Sequence, residues 1–469
     1  MDHLTPLDAG FLQAEDSDRH ISLAVGAAAV IAGPMPDFDE VVTSIGARVL
    51  EIPRFRQLVR VHPFDVGAPD WIEDPHFDLA HHIRRAALPE PGDDQALYRF
   101  IAEAMEPRLD RDRPLWRCWI IEGLADGKWA ALIKVHHCIT DGIGTMHMLA
   151  SLSDTGDTDV SAPPDATEVK PDRAPGSFSL NPVTWAQDAW GATTMVTGAL
   201  LKNVEGTIGL LDGLMRAGRP STLVGPVTTM RRFSAVTVPL ADVATVRGKF
   251  DVTLNDVALA AITDSYRGAI LRRGEQPRWD SLRTLVPVSV RRNDDPATTG
   301  NRVSVMLPHL PVEKADAVDQ LLSVHRRMER TKAGGQREAA NAVVGAARFV
   351  PFPLTAWAIR ALTRLPQHAV VTLATNVPGP RHHLQLLGRD VLQLLPIPPV
   401  ALGLRTGVAI LTYADELVFG VTGDFDAASD VNELADGITR AVRRLVRASR
   451  CHRAVSSAHA PVTDTETST

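Results

Sequence analysis

The sequence has few cysteines and few aromatic residues. Only Cys118, Cys138 and Cys451 occur in 469 residues, and Phe, Trp and Tyr together make up 5%. An odd number of widely spaced cysteines excludes a disulfide framework and a cysteine-rich zinc site, and favours a reducing compartment. A strong positive charge is also absent. The net charge of −7 argues against nucleic acid as a partner.

Long apolar runs are missing as well. A spanning helix needs about 20 mostly apolar residues, and the longest uncharged stretches, such as residues 21–36 and 391–404, are short or interrupted by proline. The first fifteen residues contain three acidic groups and no lysine or arginine, the opposite of a secretory signal. These absences predict a cytoplasmic protein that does not cross a membrane.

What remains is the composition of a globular α/β protein. Hydrophobic residues make up 45% and charged residues 22% of a chain long enough for two or three domains. Periodicity predicts strands and helices that alternate in both halves. The predicted strands span residues 20–31, 116–122, 128–137, 233–238, 282–290, 371–374 and 407–413, and the predicted helices span residues 39–50, 95–109 and 254–272.

The order of these segments predicts two comparable α/β domains, at residues 1–155 and 231–455. Residues 156–230 are interpreted as a polar linker followed by a helical connector, and residues 456–469 as a disordered tail. The apolar connector at residues 182–215 either packs between the domains or faces lipid as an amphipathic element.

An arginine-rich stretch without acidic residues lies near the end of the chain, at residues 440–453. It is either the last helix of a domain with a solvated cationic face, or a site of attachment to an anionic lipid surface. The sequence leaves both interpretations open.

The motif that carries chemistry is KVHHCITDG, at residues 134–142. A predicted strand ends there in His136 and His137. Neighbouring side chains on a strand point to opposite faces, so one histidine is expected to act as the base. Imidazole titrates near neutrality and can take a proton from a hydroxyl and return it to a leaving group. Gly142 allows close approach of the backbone.

Other interpretations of this motif are structural or metal-based. His136 alone is typical of a hydrogen-bonded core residue, and Asp141 either caps a helix over residues 143–152 or pairs with an arginine. Cys138 is interpreted as packing rather than as a nucleophile. Adjacent strand histidines diverge and no third ligand is evident, so the pattern disfavours a metal site.

Residues 136–142 match the HHxxxDG motif of the CoA-dependent acyltransferase superfamily, and the chain resembles the wax ester synthase/diacylglycerol acyltransferase family, above all its mycobacterial triacylglycerol synthases. Further matching motifs follow in the family's order from residue 5 to about residue 425. They are PLDxxF at residues 6–11, PLW at 114–116, ND at Asn255 and Asp256, a GNxxS segment at 300–304 and NVPGP at 376–380.

The resemblance implies two chloramphenicol-acetyltransferase-like α/β domains with an active-site tunnel between them. It implies that His137 is the general base, that the acceptor hydroxyl attacks the acyl-CoA thioester directly, and that no metal or cofactor takes part. Asp141 would hold its loop through an arginine, for which Arg19, Arg302 and Arg405 are candidates.

Two further motif positions have a functional and a structural interpretation. Asn255 and Asp256 either support the substrate tunnel or cap a helix. Thr375 and Asn376 either donate to the thioester oxyanion or belong to a tight turn fixed by proline and glycine.

The function expected from this resemblance is transfer of a long-chain acyl group from CoA to diacylglycerol, which forms triacylglycerol. Two alternatives stay open: a wax ester synthase with a fatty-alcohol acceptor, and a non-catalytic lipid-binding protein. A lipid substrate also predicts peripheral attachment to the inner membrane or to lipid inclusions.

Overall fold

The computed structural model describes residues 2–63, 67–139, 151–154, 221–289, 303–333, 352, 360, 370–401 and 403–457. The predicted connector at residues 182–215 lies outside the described residues, as does nearly all of the predicted helix at 143–152. The domain boundaries at residues 155 and 231 therefore stay predictions.

Seven α-helices and fifteen strands occur in the described residues. The helices are α1 (Pro6–Ser17), α2 (Phe38–Val49), α3 (Asp94–Met105), α4 (Leu240–Phe250), α5 (Leu254–Arg272), α6 (Ala317–Ala333) and α7 (Val431–Ser457). The strands are β1 (Asp2–His3), β2 (Ala24–Ile31), β3 (Gln57–Arg60), β4 (Asp70–Glu73), β5 (Ile83–Ala87), β6 (Trp116–Glu122), β7 (Trp129–His136), β8 (Arg231–Pro239), β9 (Thr284–Ser289), β10 (Val303–Met306), β11 (Thr372–Val377), β12 (Gln385–Leu386), β13 (Arg389–Ile397), β14 (Thr406–Tyr413) and β15 (Glu416–Asp424).

The strands form two mixed six-stranded sheets and a small third sheet. The first sheet has the order β12-β13-β2-β7-β6-β5, the second has β10-β9-β11-β14-β15-β8, and the small sheet has β1-β4-β3. Parallel pairing occurs between β5 and β6 and on both sides of β11. Each large sheet contributes to its own hydrophobic core.

Local sequence explains the helices that frame the site. Thr5 caps α1 by accepting a hydrogen bond from the Asp8 N–H, and Pro6 stands at the first helical position, where its missing N–H costs nothing. In the second half, Thr253 and Asp256 form a capping box at the start of α5. Twelve of the nineteen residues of α5 are buried, and most of these are apolar.

One segment of the second half belongs to the sheet of the first. After β11 the chain crosses over, and β13 pairs antiparallel with β2, from Ile397 opposite Gly26 to Val391 opposite Ile31. The chain then returns to the second sheet as β14. We call β13 the exchanged strand. The Tyr413 hydroxyl on β14 donates to the Val391 carbonyl of β13 at 2.7 Å, which connects the exchanged strand to the second sheet.

Side chains also connect the two halves directly. The Tyr98 hydroxyl on α3 donates to the Ala235 carbonyl at 3.2 Å, and the Tyr98 ring meets Phe233 edge-on. The buried Arg231 guanidinium donates to the His20 carbonyl at 2.9 Å, while the Arg231 N–H donates to Glu106 at 3.0 Å. Strand β8 is thereby fixed against the first half.

Most predicted elements agree with the structure to within a few residues. The strand at 116–122 and the helix at 254–272 have the predicted bounds. The strand predicted at 128–137 ends at His136, and the helix predicted at 95–109 ends at Met105, just before Pro107. Helix α7 continues to Ser457, two residues into the predicted tail.

Helix α7 supports the structural interpretation of the arginine-rich stretch. Its apolar side chains Val442, Leu445 and Val446 are buried in the second core. They are therefore not available for insertion into lipid, and only the cationic side of the helix faces outwards. No helix in the described part of the chain is long and apolar enough to span a bilayer.

Candidate active site

The two histidines lie at the C-terminal end of strand β7, a central strand of the first sheet. It lies between β2 and β6, and His136 is its last residue, opposite Ala24. Residues 137–139 form a turn. The expectation that the two rings diverge by strand alternation does not apply to His137, because the strand has already ended. Both rings contact helix α1.

His137 is held by its backbone and by its ring. Its N–H donates to the Leu23 carbonyl at 3.0 Å. Its imidazole stacks on the Phe11 ring with 4.6 Å between centroids and 20° between planes. Phe11 is the last residue of the PLDxxF motif, so the first helix of the chain packs directly on the predicted base. His137 as a residue is only partly buried, which allows access to a substrate.

His136 is buried, with 1% of its surface exposed. Its backbone N–H donates to the Leu115 carbonyl at 2.9 Å, within the PLW motif. Its Nδ1 accepts a hydrogen bond from the Cys138 N–H at 3.1 Å. In the neutral ring the proton must then reside on Nε2, which lies 3.5 Å from the Glu15 carboxylate.

The partner of His136 is a fully buried carboxylate in the last turn of α1. Glu15 accepts hydrogen bonds from Arg111 at 2.7 Å and from the Leu23 N–H at 3.1 Å. Burial alone would raise the pKa of Glu15, but the contacts of its carboxylate with His136 and with the Arg111 guanidinium outweigh burial and lower that pKa to about 2. Glu15 is therefore ionised at any physiological pH.

Cys138 agrees with its interpretation as packing. It is 1% exposed, and burial raises the pKa of its thiol well above the ordinary value, so a thiolate nucleophile is disfavoured. Across the described residues, no three His, Cys, Asp or Glu side chains are grouped as a metal site needs.

Lys134, the first residue of the motif, is a structural residue. Its ammonium group is buried and donates to the carbonyls of Ala104 and Pro107 at the end of α3. Burial lowers the pKa of Lys134 to about 7. These hydrogen bonds anchor strand β7 to the end of α3, two residues before His136.

Asp141 and Gly142 lie outside the described residues, as does Arg302. The Asp141 partner therefore stays a prediction. Of the other candidates, Arg405 donates to the Thr222 carbonyl at 2.7 Å, and Arg19 donates to the His20 ring at 3.4 Å.

The predicted substrate-binding residues of the second half form one connected group. Asn376 on β11 donates to the Asn255 side chain at 3.3 Å. Asp256 accepts from the Thr253 N–H at 3.0 Å and pairs with His325 Nδ1 on α6 at 2.8 Å. Asp256 therefore caps α5, and support of the substrate tunnel by Asn255 and Asp256 stays a prediction. The oxyanion role of Asn376 and its neighbour Thr375 stays a prediction.

The PLW motif is architectural, as its sequence indicates. The Trp116 ring is buried, stacks against Phe55 and His82, and donates its indole N–H to the Phe55 carbonyl at 2.8 Å. The preceding Leu115 supplies the carbonyl that holds His136. The motif therefore supports the histidines from the side of β6.

With this geometry established, comparison with known proteins gives the family. The model of the wax ester synthase/diacylglycerol acyltransferase catalytic domain matches residues 4–258, and that of the WS/DGAT C-terminal domain matches residues 299–445. The chain belongs to the WS/DGAT family.

Two individual members of the family are similar to this chain over almost its whole length. The Mycobacterium tuberculosis protein named "Probable diacyglycerol O-acyltransferase tgs1" is 52% identical over 96% of this chain and 97% of its own length. The wax ester synthase/diacylglycerol acyltransferase of Marinobacter aquaeolei VT8 has 25% identity and a TM-score of 0.68 over 96% of this chain and 100% of its own.

A more distant structure extends the comparison of the fold. The first condensation domain of the calcium-dependent antibiotic synthetase has a TM-score of 0.63 at 14% identity, over 96% of both chains. Together with the WS/DGAT structure, it confirms the expected acyltransferase architecture of two α/β domains. The tunnel between them stays a prediction.

Sequence reasoning missed the groups that hold the WS/DGAT histidines in place. Glu15 and Arg111 belong to none of the motifs recognised in the sequence. The first helix was noted only for the PLDxxF motif that it contains. A signal was present nonetheless. Glu15 and Asp16 lie at the C-terminal end of a helix, where the macrodipole disfavours acidic side chains, so a compensating partner could have been sought.

Proposed function

We propose that this WS/DGAT protein is an acyl-CoA:diacylglycerol O-acyltransferase that forms triacylglycerol, with His137 as its general base. The observation that carries the proposal is the HHxxxDG histidine, braced by α1 and partly exposed, in a chain 52% identical to a relative named as a diacylglycerol O-acyltransferase.

The reaction needs one group that accepts and returns a proton. His137 takes the proton of the acceptor hydroxyl as the hydroxyl oxygen attacks the thioester carbonyl carbon. The carbon–oxygen bond forms, the carbon–sulfur bond breaks, and the imidazolium returns the proton to the leaving thiolate. The products are the ester and free CoA. Acyl-CoA is a substrate of this reaction, which needs neither an acyl-enzyme nor a metal.

The other residues have supporting roles in this proposal. His136 holds the turn through the Cys138 N–H. Asp141 is proposed to pair with an arginine, and Gly142 to allow close approach of the backbone. Asn255 orients Asn376 through the 3.3 Å hydrogen bond, so that β11 presents an amide to the thioester oxygen, while the neighbouring Thr375 lies on the opposite face of the strand. Asp256 fixes the start of α5 beneath Asn255.

The acceptor is tested by offering diacylglycerol and a long-chain alcohol side by side with palmitoyl-CoA. We expect faster ester formation with diacylglycerol. Wax ester synthesis is the second candidate, because the matching family model covers both activities and both acceptors present a hydroxyl on an apolar body. The assay is repeated after chelation, with equal rates expected because no step needs a Lewis acid. No ester with either acceptor, while CoA still binds, contradicts the proposal.

The protein attaches peripherally to anionic membranes or lipid inclusions in this proposal, through the cationic side of α7. Arg440, Arg443, Arg447 and Arg450 are exposed there, while Arg444 pairs with Asp264 at 2.9 Å. The net charge of −7 opposes binding over the whole surface. Attraction must therefore be local, at about 1 kcal/mol per basic residue near the membrane.

We expect the protein to float with anionic phosphatidylglycerol vesicles at low salt and to be released near 1 M salt, where the Debye length is about 3 Å. Replacing the four exposed arginines by glutamine is expected to abolish flotation. Truncation before Arg440 is unsuitable, because it would remove core residues of α7.

A charge-matched control replaces four exposed basic residues elsewhere by glutamine: Arg84, Arg99, Arg247 and Lys249. Vesicles of phosphatidylcholine alone provide the second control. If the wild type does not float at low salt, or if both quadruple variants float alike, attachment through α7 is wrong.

A further inference from the structure

Helix α1 presents two side chains to the histidine turn from one face. Phe11 and Glu15 are four residues apart, so they lie one above the other on the helix. Phe11 stacks on the His137 ring, while Glu15 lies against His136. The same helical face therefore contacts both histidines, one through an aromatic ring and the other through a carboxylate.

The first connection from Glu15 to His137 passes through the backbone of Leu23. Glu15 Oε1 accepts the Leu23 N–H at 3.1 Å, and the Leu23 carbonyl accepts the His137 N–H at 3.0 Å. Two hydrogen bonds thus join the carboxylate to the peptide of His137. A displacement of the carboxylate would release the extended segment that supports this peptide.

The second connection passes through His136. Glu15 Oε2 binds Arg111 at 2.7 Å and lies 3.5 Å from His136 Nε2. An anion at this position favours the tautomer with its proton on Nε2, which leaves His136 Nδ1 free to accept the Cys138 N–H at 3.1 Å. His137 is therefore fixed on both sides, through its own N–H and through that of the following residue.

The position of Glu15 is unfavourable without these partners. A carboxylate that is 1% exposed pays a large desolvation cost, and the C-terminal end of a helix disfavours negative charge. Arg111 compensates the charge, and Arg108 donates to the carbonyls of Glu15, Asp18 and Ile21 at the end of α1. Arg111 thus compensates the charge of the buried carboxylate, and Arg108 satisfies backbone carbonyls at and just beyond the end of its helix.

We infer that Glu15 is a positioning residue for His137, which it holds through Leu23 on one side and through His136 on the other. This inference rests on the proposed role of His137 as the base. Glu15 itself touches no reacting atom. Its removal should therefore slow the chemical step and leave the binding of acyl-CoA nearly unchanged.

The test compares Glu15→Gln with Asp16→Asn in the full-length chain. Glutamine keeps the size of Glu15 but turns a donor toward Arg111 and His136, which are donors themselves. We expect kcat to fall about 10- to 100-fold, as for a small misplacement of a reacting group, with the KM for palmitoyl-CoA within about twofold. Asp16 also contacts Arg111, at 3.1 Å, but is half exposed, and Asp16→Asn should keep wild-type kcat.

The melting temperature and the Kd for palmitoyl-CoA are measured for each variant, because a merely structural role of Glu15 predicts a lower melting temperature with an unchanged kcat. A folded Glu15→Gln protein with a lowered melting temperature and wild-type kcat overturns the inference. If Glu15→Gln does not fold, Glu15→Asp takes its place, since aspartate keeps the charge opposite Arg111 but is one methylene shorter. A folded Glu15→Asp protein with wild-type kcat then overturns the inference equally.

His137→Ala is measured in the same series, so that the two assignments fail separately. If His137→Ala is inactive and Glu15→Gln is fully active, only the positioning role of Glu15 is refuted. Fully active His137→Ala refutes the proposed base, whatever the Glu15 variants show.

Discussion

Replacement of His137 by alanine is expected to lower kcat by a factor of about 10² to 10⁴, the usual range for the loss of one general base. The acceptor hydroxyl then has no side chain positioned to take its proton, and the leaving thiolate has none to return one. Binding of palmitoyl-CoA should persist, because the His137 N–H that meets Leu23 is a backbone group and remains. The measurement is ester formation per folded protein, with the Kd for palmitoyl-CoA determined separately.

The matched control is His81→Ala, in the same half of the chain. The His81 ring is 44% exposed and lies 4.0 Å from Asp78, so its loss should leave kcat unchanged. Comparison of the two variants also separates the enzyme from a non-catalytic lipid-binding protein. An enzyme loses turnover and keeps lipid association, whereas a carrier shows no turnover in the wild type. A His137→Ala protein that works as fast as the wild type contradicts the assignment of the base.

Local sequence was sufficient for much of the fold. The helix at Leu254–Arg272 begins at a capping box and is rich in apolar residues, and most residues of the strand at Trp116–Glu122 are apolar. Both signals lie within the element itself, so both bounds were predicted correctly. The motif order likewise pointed to the family without any knowledge of tertiary contacts.

The exchanged strand could not be found in this way. Strand β13 contains Pro396, which ordinarily argues against a strand because it lacks an N–H. In the structure β12 pairs only with Arg389 and Asp390, so the rest of β13 is an edge strand within the described residues, where proline is tolerated. Its partner β2 lies more than 350 residues earlier in the chain, and no local pattern specifies such a pairing.

The buried acid of the site was missed for a similar reason. Glu15 is stable only because Arg111, about 95 residues later, reaches it, together with a histidine at the end of β7. Sequence alone shows an acidic residue near the end of a short amphipathic segment, which normally predicts a solvated side chain. Catalytic histidines can be predicted from a motif, but the residues that hold them depend on tertiary packing.

The substitution Gly420→Ala is expected to destabilise the protein strongly, because it acts where the exchanged strand meets the second sheet. Gly420 lies on β15, and a Cβ added there would overlap the carbonyl oxygen of Pro396 on β13 and lie 2.9 Å from its carbonyl carbon. Both obstructing atoms belong to backbone, so β13 and β15 must separate. Such overpacking costs typically about 1–3 kcal/mol, and we expect about 3 kcal/mol here because no side chain can rotate away.

Gly248→Ala supplies the same chemical change as a control. A Cβ at Gly248 on α4 meets no atom within 4 Å, and alanine is favoured over glycine inside a helix by about 0.5–1 kcal/mol. The two variants should therefore move the urea midpoint in opposite directions, Gly420→Ala downwards and Gly248→Ala slightly upwards. Because β13 pairs with β2 beside the strand that carries His136, Gly420→Ala should also lower the active fraction of the protein. Equal midpoints for the two variants would show that β13 does not pack against β15 as described, and the exchange between the two sheets would have to be revised.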